Sequence, residues 1–345
     1  RTIPGVNIRD EEGFGLRPNI GLRGTPVNRS AKVTLMEDGV LIAPAPYADP
    51  AAYYFPTFLR MQGVEVLKGS SQIKYGPYTV GGAVNLISTE IPTSFKGFAQ
   101  LSAGSFGTNQ QRVWVGDSQQ NFDYVFEVNR MASNGFKQLD NGGNTGFERR
   151  DLMAKLRWHT DSKAKIQQSL MMKIVSLTEN GNESYLGLTY EDYKANPLRR
   201  YAATQKDLLD MKHNHVSLLH TIRPGKNVII HTTAYYSTTF RDWARVNTIG
   251  GQSINNILGN PTQFAIPYQI MIGQANGSID YQSAARTYIS KGIQSNAQFS
   301  YTNGEVKHKW QLGVRIHSDQ ADRYATRSNY TMTNGTMILN SVGVK

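Results

Sequence analysis

The chain has 345 residues, a formal net charge of +11 and no cysteine, which excludes disulfide scaffolds, thiolate metal sites and thiol catalysis. Its mean hydropathy is −0.44, and no apolar run approaches the roughly 18–20 residues of a spanning helix, so a helical membrane protein is excluded. The basic residues form at most pairs such as Arg149-Arg150, not the runs of about five to eight that indicate a nucleic-acid patch. A basic interior or a site for an anionic ligand explains the charge equally well.

The first 92 residues are rich in proline and predict short elements joined by tight turns. Asp38-Gly39 stands between apolar runs at 33–36 and 40–43. This pattern predicts a β-hairpin, because glycine tolerates a positive φ. Further strands are predicted at 64–67 and 81–87.

Two short helices are expected between these strands. Asp49-Pro50 has the form of an N-cap followed by proline at the first helical position, and Pro56 begins a second helix that ends at Arg60. The segment therefore predicts a compact α+β unit of about 90 residues, which is small for a free-standing domain.

From residue 93 the chain changes to long segments in which apolar and polar side chains alternate. Such alternation is typical of strands with two unlike faces. In residues 122–129, for example, aromatic and aliphatic side chains share one face and acidic and amide side chains the other. Nine such segments follow one another, at about 95–106, 109–117, 121–133, 147–160, 164–178, 211–222, 227–241, 286–301 and 305–320.

The connections between these segments alternate between short and long. Those near 118–120, 161–163, 223–226 and 302–304 are short, whereas those at 134–146, 179–210 and 242–285 are long. A soluble sandwich has no reason to place every long loop at one end, but a transmembrane β-barrel has tight periplasmic turns and long external loops. The pattern predicts such a barrel, with its apolar face toward lipid and its polar face toward the lumen.

Nine strands cannot close a bacterial barrel, because single-chain outer-membrane barrels have even strand numbers and an open edge leaves backbone groups unpaired in hydrocarbon. The sequence also begins and ends within a pattern. We therefore expect the chain to be part of a longer protein. A small folded unit ahead of a large barrel is typical of the 22-stranded transporters whose lumen is plugged.

Five short motifs in the first 92 residues together resemble the plug of TonB-dependent outer-membrane receptors. Each motif alone is weak evidence, but the five motifs in this order are specific to that plug. Within that family the closer match is to the ferric dicitrate receptor branch, through Ala45-Pro-Tyr, residues 185–201 and the strand that begins at Arg286. The five motifs are Ile20-Gly-Leu-Arg-Gly, Leu35-Met-Glu-Asp-Gly-Val, Val64-Glu-Val-Leu-Lys-Gly, Tyr75-Gly-Pro and Gly81-Gly-Ala-Val-Asn-Leu-Ile-Ser.

The resemblance implies a plug domain at 1–92 without its amino-terminal part and a TonB-dependent receptor β-barrel at 93–345 without its carboxy-terminal part. About nine of 22 strands would be present. It implies a receptor in the outer membrane of a Gram-negative bacterium, not an enzyme, that imports a ferric chelate such as a citrate-like siderophore into the periplasm. The implied partners are TonB with its inner-membrane energising complex, outer-membrane lipid and lipopolysaccharide, and the chelate. No cofactor and no nucleic acid is expected.

Two arginines are the first candidates for the ligand site. In the seventh segment Arg241 shares a face with His231, Thr233 and Ser237, and in the eighth Arg286 shares a face with Ser290 and Gln294. Both therefore point into the lumen at the external rim. They resemble the lumenal arginines with which the family grips citrate carboxylates, and arginine suits that task through bidentate, charge-assisted hydrogen bonds. The alternative is that rim arginines keep the loops soluble.

Further substrate-binding candidates lie in a loop and in the plug. Arg199 and Arg200 stand in a long external loop, where they either gather anions or are simply solvated. Tyr47 and Asp49 are expected at the plug apex. The family's citrate receptors tend to have a neutral amide where Asp49 stands, and an extra carboxylate facing an anionic chelate is unfavourable unless it is paired. Asp49 therefore puts citrate itself in doubt.

Arg23 and Lys68 belong to the Arg-Gly and Lys-Gly motifs of the plug, and the resemblance implies that they pair with carboxylates of the barrel wall. His213 and His215 share one face of a strand, but with no third ligand we interpret them as a chance pair rather than a metal site. No constellation for catalysis or phosphate binding is visible.

Two alternatives remain open. One is TonB-dependent import of a different metal chelate or small nutrient, which Asp49 favours. The other is a barrel subunit of a larger cell-surface assembly.

Overall fold

The computed structural model describes residues 3–76 and 78–344. Pro77, the third residue of the Tyr75-Gly-Pro motif, lies outside the described residues, as do the side chains of Ser71, Ile73 and Val344. In the described part of the chain, none of the helices has the length and apolarity needed to cross a membrane.

Two small sheets make up the first unit. One is an antiparallel pair, and the other has four strands in the order β4-β3-β6-β5, with β3 parallel to β6. Short 3-10 turns lie between them, at Asn28–Ser30, Phe58–Arg60 and Ser70–Tyr75. The strands are β1 (Val6–Arg9), β2 (Asn19–Leu22), β3 (Val33–Glu37), β4 (Val40–Leu41), β5 (Met61–Leu67) and β6 (Gly82–Ser88).

The hairpin predicted at Asp38-Gly39 is confirmed. The strands β3 and β4 pair across it, with φ of 49° at Asp38 and 79° at Gly39. The helix predicted from Asp49-Pro50 is wrong, because residues 50–57 form neither a helix nor a strand, and the predicted second helix is reduced to the 3-10 turn that ends at Arg60. Tertiary contacts override the local helix signals here. Tyr54 and Phe55 are buried, and Arg149 of the large sheet donates a hydrogen bond to the Phe55 carbonyl.

A large antiparallel sheet follows. Ten of its strands form a path in which each pairs with its neighbour along the chain, and the sheet does not close over residues 96–344. Three further strands in this part of the chain have two residues each, of which one pairs with the large sheet and the other two form a separate parallel pair. The strands are β7 (Lys96–Ala103), β8 (Asn109–Ser118), β9 (Phe122–Ser133), β10 (Gln138–Leu139), β11 (Phe147–His159), β12 (Gln167–Gly181), β13 (Arg199–Arg200), β14 (Leu208–Gly225), β15 (Val228–Ile249), β16 (Gln252–Ser253), β17 (Gly277–Asn303), β18 (Val306–Thr333) and β19 (Thr336–Val344).

All nine predicted segments coincide with strands of the path, and β19 is a tenth that the alternation does not indicate. The strands β15, β17 and β18 are also longer than predicted, at 22, 27 and 28 residues. Their extra residues lie at the end that carries the long loops. The loop predicted at 242–285 is therefore confined to 250–276. The domain boundary predicted at residue 92 falls in the segment between β6, which ends at Ser88, and β7, which begins at Lys96. Its exact position stays a prediction.

The two faces of the sheet differ as the alternation predicts. On β9, Phe126 and Val128 are about half exposed, whereas Asp123 and Glu127 are buried. Val125, which breaks the alternation, is fully buried on the inner face. Outward side chains of β18 such as Ile316 are 70% exposed. The first unit lies against the inner face, so the sheet has an apolar outer surface and a polar surface around a plug.

The first unit, which we call the plug, and the large sheet, which we call the wall, share one hydrophobic core. Leu22, Leu35 and Tyr54 of the plug pack in one buried cluster with Leu177 of β12 and Met211 of β14. Burying one such aliphatic or aromatic side chain contributes about 1.5–3 kcal/mol. The plug therefore forms one folded body with the wall.

The long external loops carry the three α-helices, α1 (Tyr190–Ala195), α2 (Ile254–Gly259) and α3 (Ala265–Met271). Thr189 and Ser253 cap α1 and α2 through their side chains. A second hydrophobic cluster joins the loops to the external ends of β15, β17, β18 and β19. Its buried members are Tyr201, Ala202, Ala203, Val246, Ile249, Ile257, Ile270, Met271, Ile272, Ile279, Tyr281, Met332 and Met337.

Candidate functional site

Three arginines stand side by side on adjacent strands of the wall. Arg241 of β15 is paired in register with Arg286 of β17, and Arg286 is paired with Arg323 of β18. Residues directly opposite on neighbouring strands place their side chains on the same face about 5 Å apart. We call these three residues the arginine row. It lies on the inner face, as the alternation predicts for Arg241 and Arg286.

An aromatic side chain of the plug packs against the arginine row. The guanidinium carbon of Arg241 lies 4.1 Å from the ring centroid of Tyr53, and that of Arg286 lies 5.3 Å from it. Arg29 of the plug approaches the same ring at 5.0 Å. Cations over aromatic faces are attracted without being neutralised. Arg241 is only 5% exposed and its Nε has no hydrogen-bond partner, so it is a desolvated cation with unused donor capacity.

Asp49 supplies the carboxylate of the cluster. Its Oδ2 accepts from Arg286 Nη1 at 3.1 Å, from Arg323 Nη2 at 2.9 Å and from the Tyr288 hydroxyl at 3.2 Å. Arg286 Nη1 also donates to the Tyr53 hydroxyl at 3.2 Å. Asp49 is therefore a paired carboxylate, which removes the objection that it would stand unpaired before an anionic ligand.

Tyr47 lies on the apical turn of the plug, residues 45–49, which also carries Asp49. The backbone N–H groups of Tyr47 and Ala48 donate to Asp319 of β18 at 2.7 and 3.1 Å. The Tyr47 ring packs on His317 at 4.9 Å between centroids and is 46% exposed. His317 is in turn bonded to Asp319 and to the Tyr235 hydroxyl. The wall thus holds the apical turn in place and leaves the face of Tyr47 open.

The arrangement is suited to binding an anion. Arg286 and Arg323 share the carboxylate of Asp49, and Arg241 has no ion-pair partner among the described residues, which leaves the arginine row with an excess of two positive charges. Arginine presents a planar fork of donors that matches carboxylates. Tyr53, Tyr47 and Tyr288 add hydroxyl donors and apolar surface.

Arg323, Arg29 and Tyr53 are site residues that the sequence reasoning missed. Arg323 continues the odd-numbered inner-face register of Arg315 and His317 along β18, so extending the predicted strand beyond residue 320 would have found it. Nothing in the local sequence marks Arg29 or Tyr53.

Arg199 and Arg200 lie in the external loops, and the structure gives them partners there. Arg199 forms ion pairs with Asp140 at 2.8 Å and Asp192 at 2.7 Å. Arg200 is buried and donates to the Thr204 hydroxyl at 2.8 Å and to the Thr204 and Asn182 carbonyls. Both belong to β13, which pairs with β10. They hold the loops together in this conformation, and a role toward a ligand stays a prediction.

Asp192 joins the two largest external loops. Its carboxylate accepts from the Tyr201 hydroxyl at 2.6 Å within its own loop and from the Tyr268 hydroxyl of α3 at 2.7 Å. The hydrogen bonds from Tyr201 and Tyr268, and the charge of Arg199, lower the pKa of Asp192. The loops above the arginine row are therefore packed against each other.

The packing of the loops is expected to depend on pH through Asp207. This residue is 2% exposed and accepts from the Val246 N–H at 3.1 Å, and burial raises the pKa of its carboxyl to about 6. A carboxyl whose pKa is raised by folding favours the packed loops when it is protonated, and this contribution is lost as the pH rises through about 6. The protection of amides 199–207, taken relative to the intrinsic exchange rate at each pH, should therefore decrease from about pH 4 to pH 6.5. The variant Asp207→Asn should lack this response, and a response that persists in it would contradict the assignment.

Arg23 and Lys68 do not contact wall carboxylates among the described residues. Arg23 donates to the Gly81 carbonyl at 3.1 Å and the Val80 carbonyl at 2.8 Å, and Lys68 donates to the Pro4 carbonyl at 2.8 Å. All three acceptors belong to the plug, so the observed contacts stabilise its turns. The pairing of these residues with barrel carboxylates stays a prediction.

A different group of charges joins the plug to the wall. Arg60 is fully buried, donates to Glu37 and forms an ion pair with Asp151 of β11 at 3.0 Å. Lys173 of β12 contacts Glu37 as well. The charges of Arg60 and Lys173 lower the pKa of Glu37 to about 2 against the opposing effect of burial, so Glu37 is ionised throughout the neutral range.

The same group includes Asp38 of the hairpin turn, which accepts from Lys173 at 2.6 Å and lies 3.2 Å from Lys155 of β11. The charges of these two lysines lower the pKa of Asp38. The hairpin Glu37-Asp38-Gly39 is therefore tied by charge to both β11 and β12.

The histidine pair has structural contacts. His213 Nδ1 lies 2.8 Å from the Thr239 hydroxyl, its ring stacks on Tyr54 at 3.6 Å, and His215 Nδ1 lies 2.8 Å from the Ser237 hydroxyl. Within residues 3–76 and 78–344, no three His, Asp or Glu side chains come together as metal ligands would.

Comparison with known proteins identifies the plug. Residues 1–83 match the family model of the TonB-dependent Receptor Plug Domain. The chain is also 27% identical over 175 residues to the vitamin B12 transporter BtuB of Vibrio vulnificus (strain YJ016), an alignment that covers 48% of this chain and 27% of that protein.

Solved structures with the same fold include three iron-uptake proteins. The ferric citrate transporter FecA in its unliganded form has a TM-score of 0.72 at 19% identity, covering 98% of this chain and 46% of that one. The siderophore receptor PiuA from Acinetobacter baumannii has a TM-score of 0.61 at 15% identity, with coverage of 88% and 39%. The ferric-catecholate import receptor Fiu from E. coli K12 in its open form has a TM-score of 0.62 at 14% identity, and the match covers 95% of this chain and 46% of that one. The chain thus spans less than half the length of these proteins, and they support its plugged-barrel fold.

Proposed function

We propose that this chain is part of a TonB-dependent receptor of the Gram-negative outer membrane that binds an anionic ferric chelate, which the plug-domain match and the plugged-barrel fold support. A citrate-like siderophore is the preferred ligand. The chelate would bind between the plug apex and the inner face of the wall and enter the periplasm with energy from the TonB complex. Outer-membrane lipid and lipopolysaccharide would contact the apolar outer face.

The observation that carries this proposal is the arginine row with its excess of positive charge. Arg241, Arg286 and Arg323 lie in register beneath the external loops and beside the plug apex. Hydrogen bonds between guanidinium groups and carboxylates are short, directional and charge-assisted. A ligand with several carboxylates bound to a central ferric ion offers the matching acceptors. A neutral chelate would leave the cation of Arg241 without a counter-charge.

A second candidate is import of a cobalamin, which the similarity to the vitamin B12 transporter BtuB favours. Import of another metal chelate and a place in a larger cell-surface assembly are further alternatives. The net positive charge of the arginine row favours an anionic chelate over a neutral ligand such as a cobalamin.

Uptake by cells tests the proposal. The full-length receptor would be expressed in a strain without its own citrate and cobalamin receptors, with and without a functional TonB system. Accumulation of iron-55 supplied as ferric dicitrate should require both the receptor and TonB. Uptake of labelled cobalamin with none of ferric dicitrate would move the ligand to the second candidate. Uptake of either without TonB would contradict the energised mechanism.

A further inference from the structure

The strongest anion subsite of the arginine row is filled by the protein itself. Three donors, from Arg286, Arg323 and Tyr288, converge within 3.2 Å on one oxygen of Asp49. This is the coordination that a ligand carboxylate would use at the same place. A free ligand must therefore either avoid Arg286 and Arg323 or replace Asp49.

Asp49 is also a tether between the plug and the wall. It closes the apical turn, where its N–H donates to the Ala45 carbonyl at 2.8 Å. The turn is held to β18 a second time by Asp319, which accepts from the backbone of Tyr47 and Ala48. The two carboxylates differ in one respect. Asp49 binds two members of the arginine row, whereas the partners of Asp319 among the described residues are the turn and His317.

We propose that Asp49 acts as a built-in competitor for the carboxylate of the ligand. This inference rests on the proposed function and adds to it a determinant of specificity and a consequence of binding. A polycarboxylate displaces Asp49 from Arg286 and Arg323, whereas a neutral ligand has no group that can do so. Displacement also breaks one of the two carboxylate contacts that hold the apical turn to the wall, so an anionic ligand loosens the plug apex as it binds.

Two single substitutions in the full-length receptor distinguish this role from others. Asp49→Asn keeps the shape of the side chain but removes the charge that competes with the ligand. Asp319→Asn is the matched control, because it weakens the same turn without touching the arginine row. Each variant would be titrated with ferric dicitrate, after a check that its barrel resists denaturation by detergent as the wild type does.

If Asp49 competes with the ligand, Asp49→Asn should bind ferric dicitrate about tenfold more tightly than the wild type, because a charge-assisted hydrogen bond no longer has to be replaced. Asp319→Asn should stay within about threefold of the wild type. Equal or weaker binding by Asp49→Asn would mean that Asp49 positions the arginines, and equal tightening in both variants would mean that only loosening of the turn matters. Either result overturns the inference but leaves the proposed function intact.

Absence of binding in the wild type and in Asp49→Asn alike would contradict the proposed ligand class and the inference together. Binding by Asp49→Asn alone would support the competition most strongly. A second measurement uses the unmodified receptor. Addition of ferric dicitrate should quicken amide exchange at Asp49, and a slower or unchanged rate would contradict displacement of the tether.

Discussion

Replacing Arg60 by alanine should weaken the attachment of the plug to the wall while leaving the barrel folded. Arg60 is fully buried between Glu37 of the plug and Asp151 of β11, and its removal leaves Asp151 without its cation and Glu37 with Lys173 alone. Breaking a buried ion pair by removing one partner costs about 3–5 kcal/mol, because an uncompensated charge stays in a medium of low polarity. In the full-length receptor, the urea concentration at which a protease begins to cut residues 1–92 should fall markedly.

The control for this experiment is Arg150→Ala. Arg150 also lies on β11 and pairs with Glu148 at 2.9 Å, but its side chain is 66% exposed. Exposed ion pairs contribute about 0–1 kcal/mol. The protease should therefore begin to cut this variant at the same urea concentration as the wild type. Equal behaviour of the two variants would contradict the view that the buried charges hold the plug.

Replacing both Arg241 and Arg286 by alanine should abolish growth that depends on the chelate. Each arginine is expected to contribute a charge-assisted contact of about 1.5–3 kcal/mol, which corresponds to roughly ten- to a hundredfold in affinity. Arg323→Ala should cause a loss of the same order. Insertion into the membrane should be unaffected, because all three side chains lie on the inner face.

Arg157→Ala is the matched control for the arginine row. Arg157 lies on the inner face of β11 at the end opposite the external loops and pairs with Asp123 at 2.5 Å. Its loss should leave chelate binding unchanged. Growth of the double variant at the wild-type rate, with the chelate as sole iron source, would remove Arg241 and Arg286 from the site.

Period-two alternation predicts the strands of the wall wherever one face of the sheet contacts lipid. It does not predict them where both faces contact water. Alternation predicts the inner positions of Arg241 and Arg286 because many of the outer positions along their two strands carry apolar side chains. Beyond residue 320, β18 continues through Arg323, but its outer side chains include Asp322 and other polar groups. Pairing of the strands persists there while the period-two signal disappears.

The contacts of the plug could not be predicted from local sequence for a related reason. Asp49-Pro50 carries the local signals of a helix start, yet Asp49 is held by strands more than 230 residues away in the chain. Arg60 likewise finds Asp151 at a separation of 91 residues. The pairing of carboxylates with cations depends on the position of the plug inside the wall. The spacing of residues along the chain carries no information about that position.

The most direct test of the proposed ligand class is equilibrium binding to the purified full-length receptor. Labelled ferric dicitrate would be the probe, with unlabelled ferric catecholate, ferric hydroxamate and cobalamin as competitors, in the wild type and in the variant Arg241→Ala/Arg286→Ala/Arg323→Ala. We predict saturable binding by the wild type that only unlabelled ferric dicitrate displaces, and no detectable binding by the triple variant. Equal binding of labelled ferric dicitrate by the wild type and the triple variant would contradict the assignment of the arginine row as the ligand site.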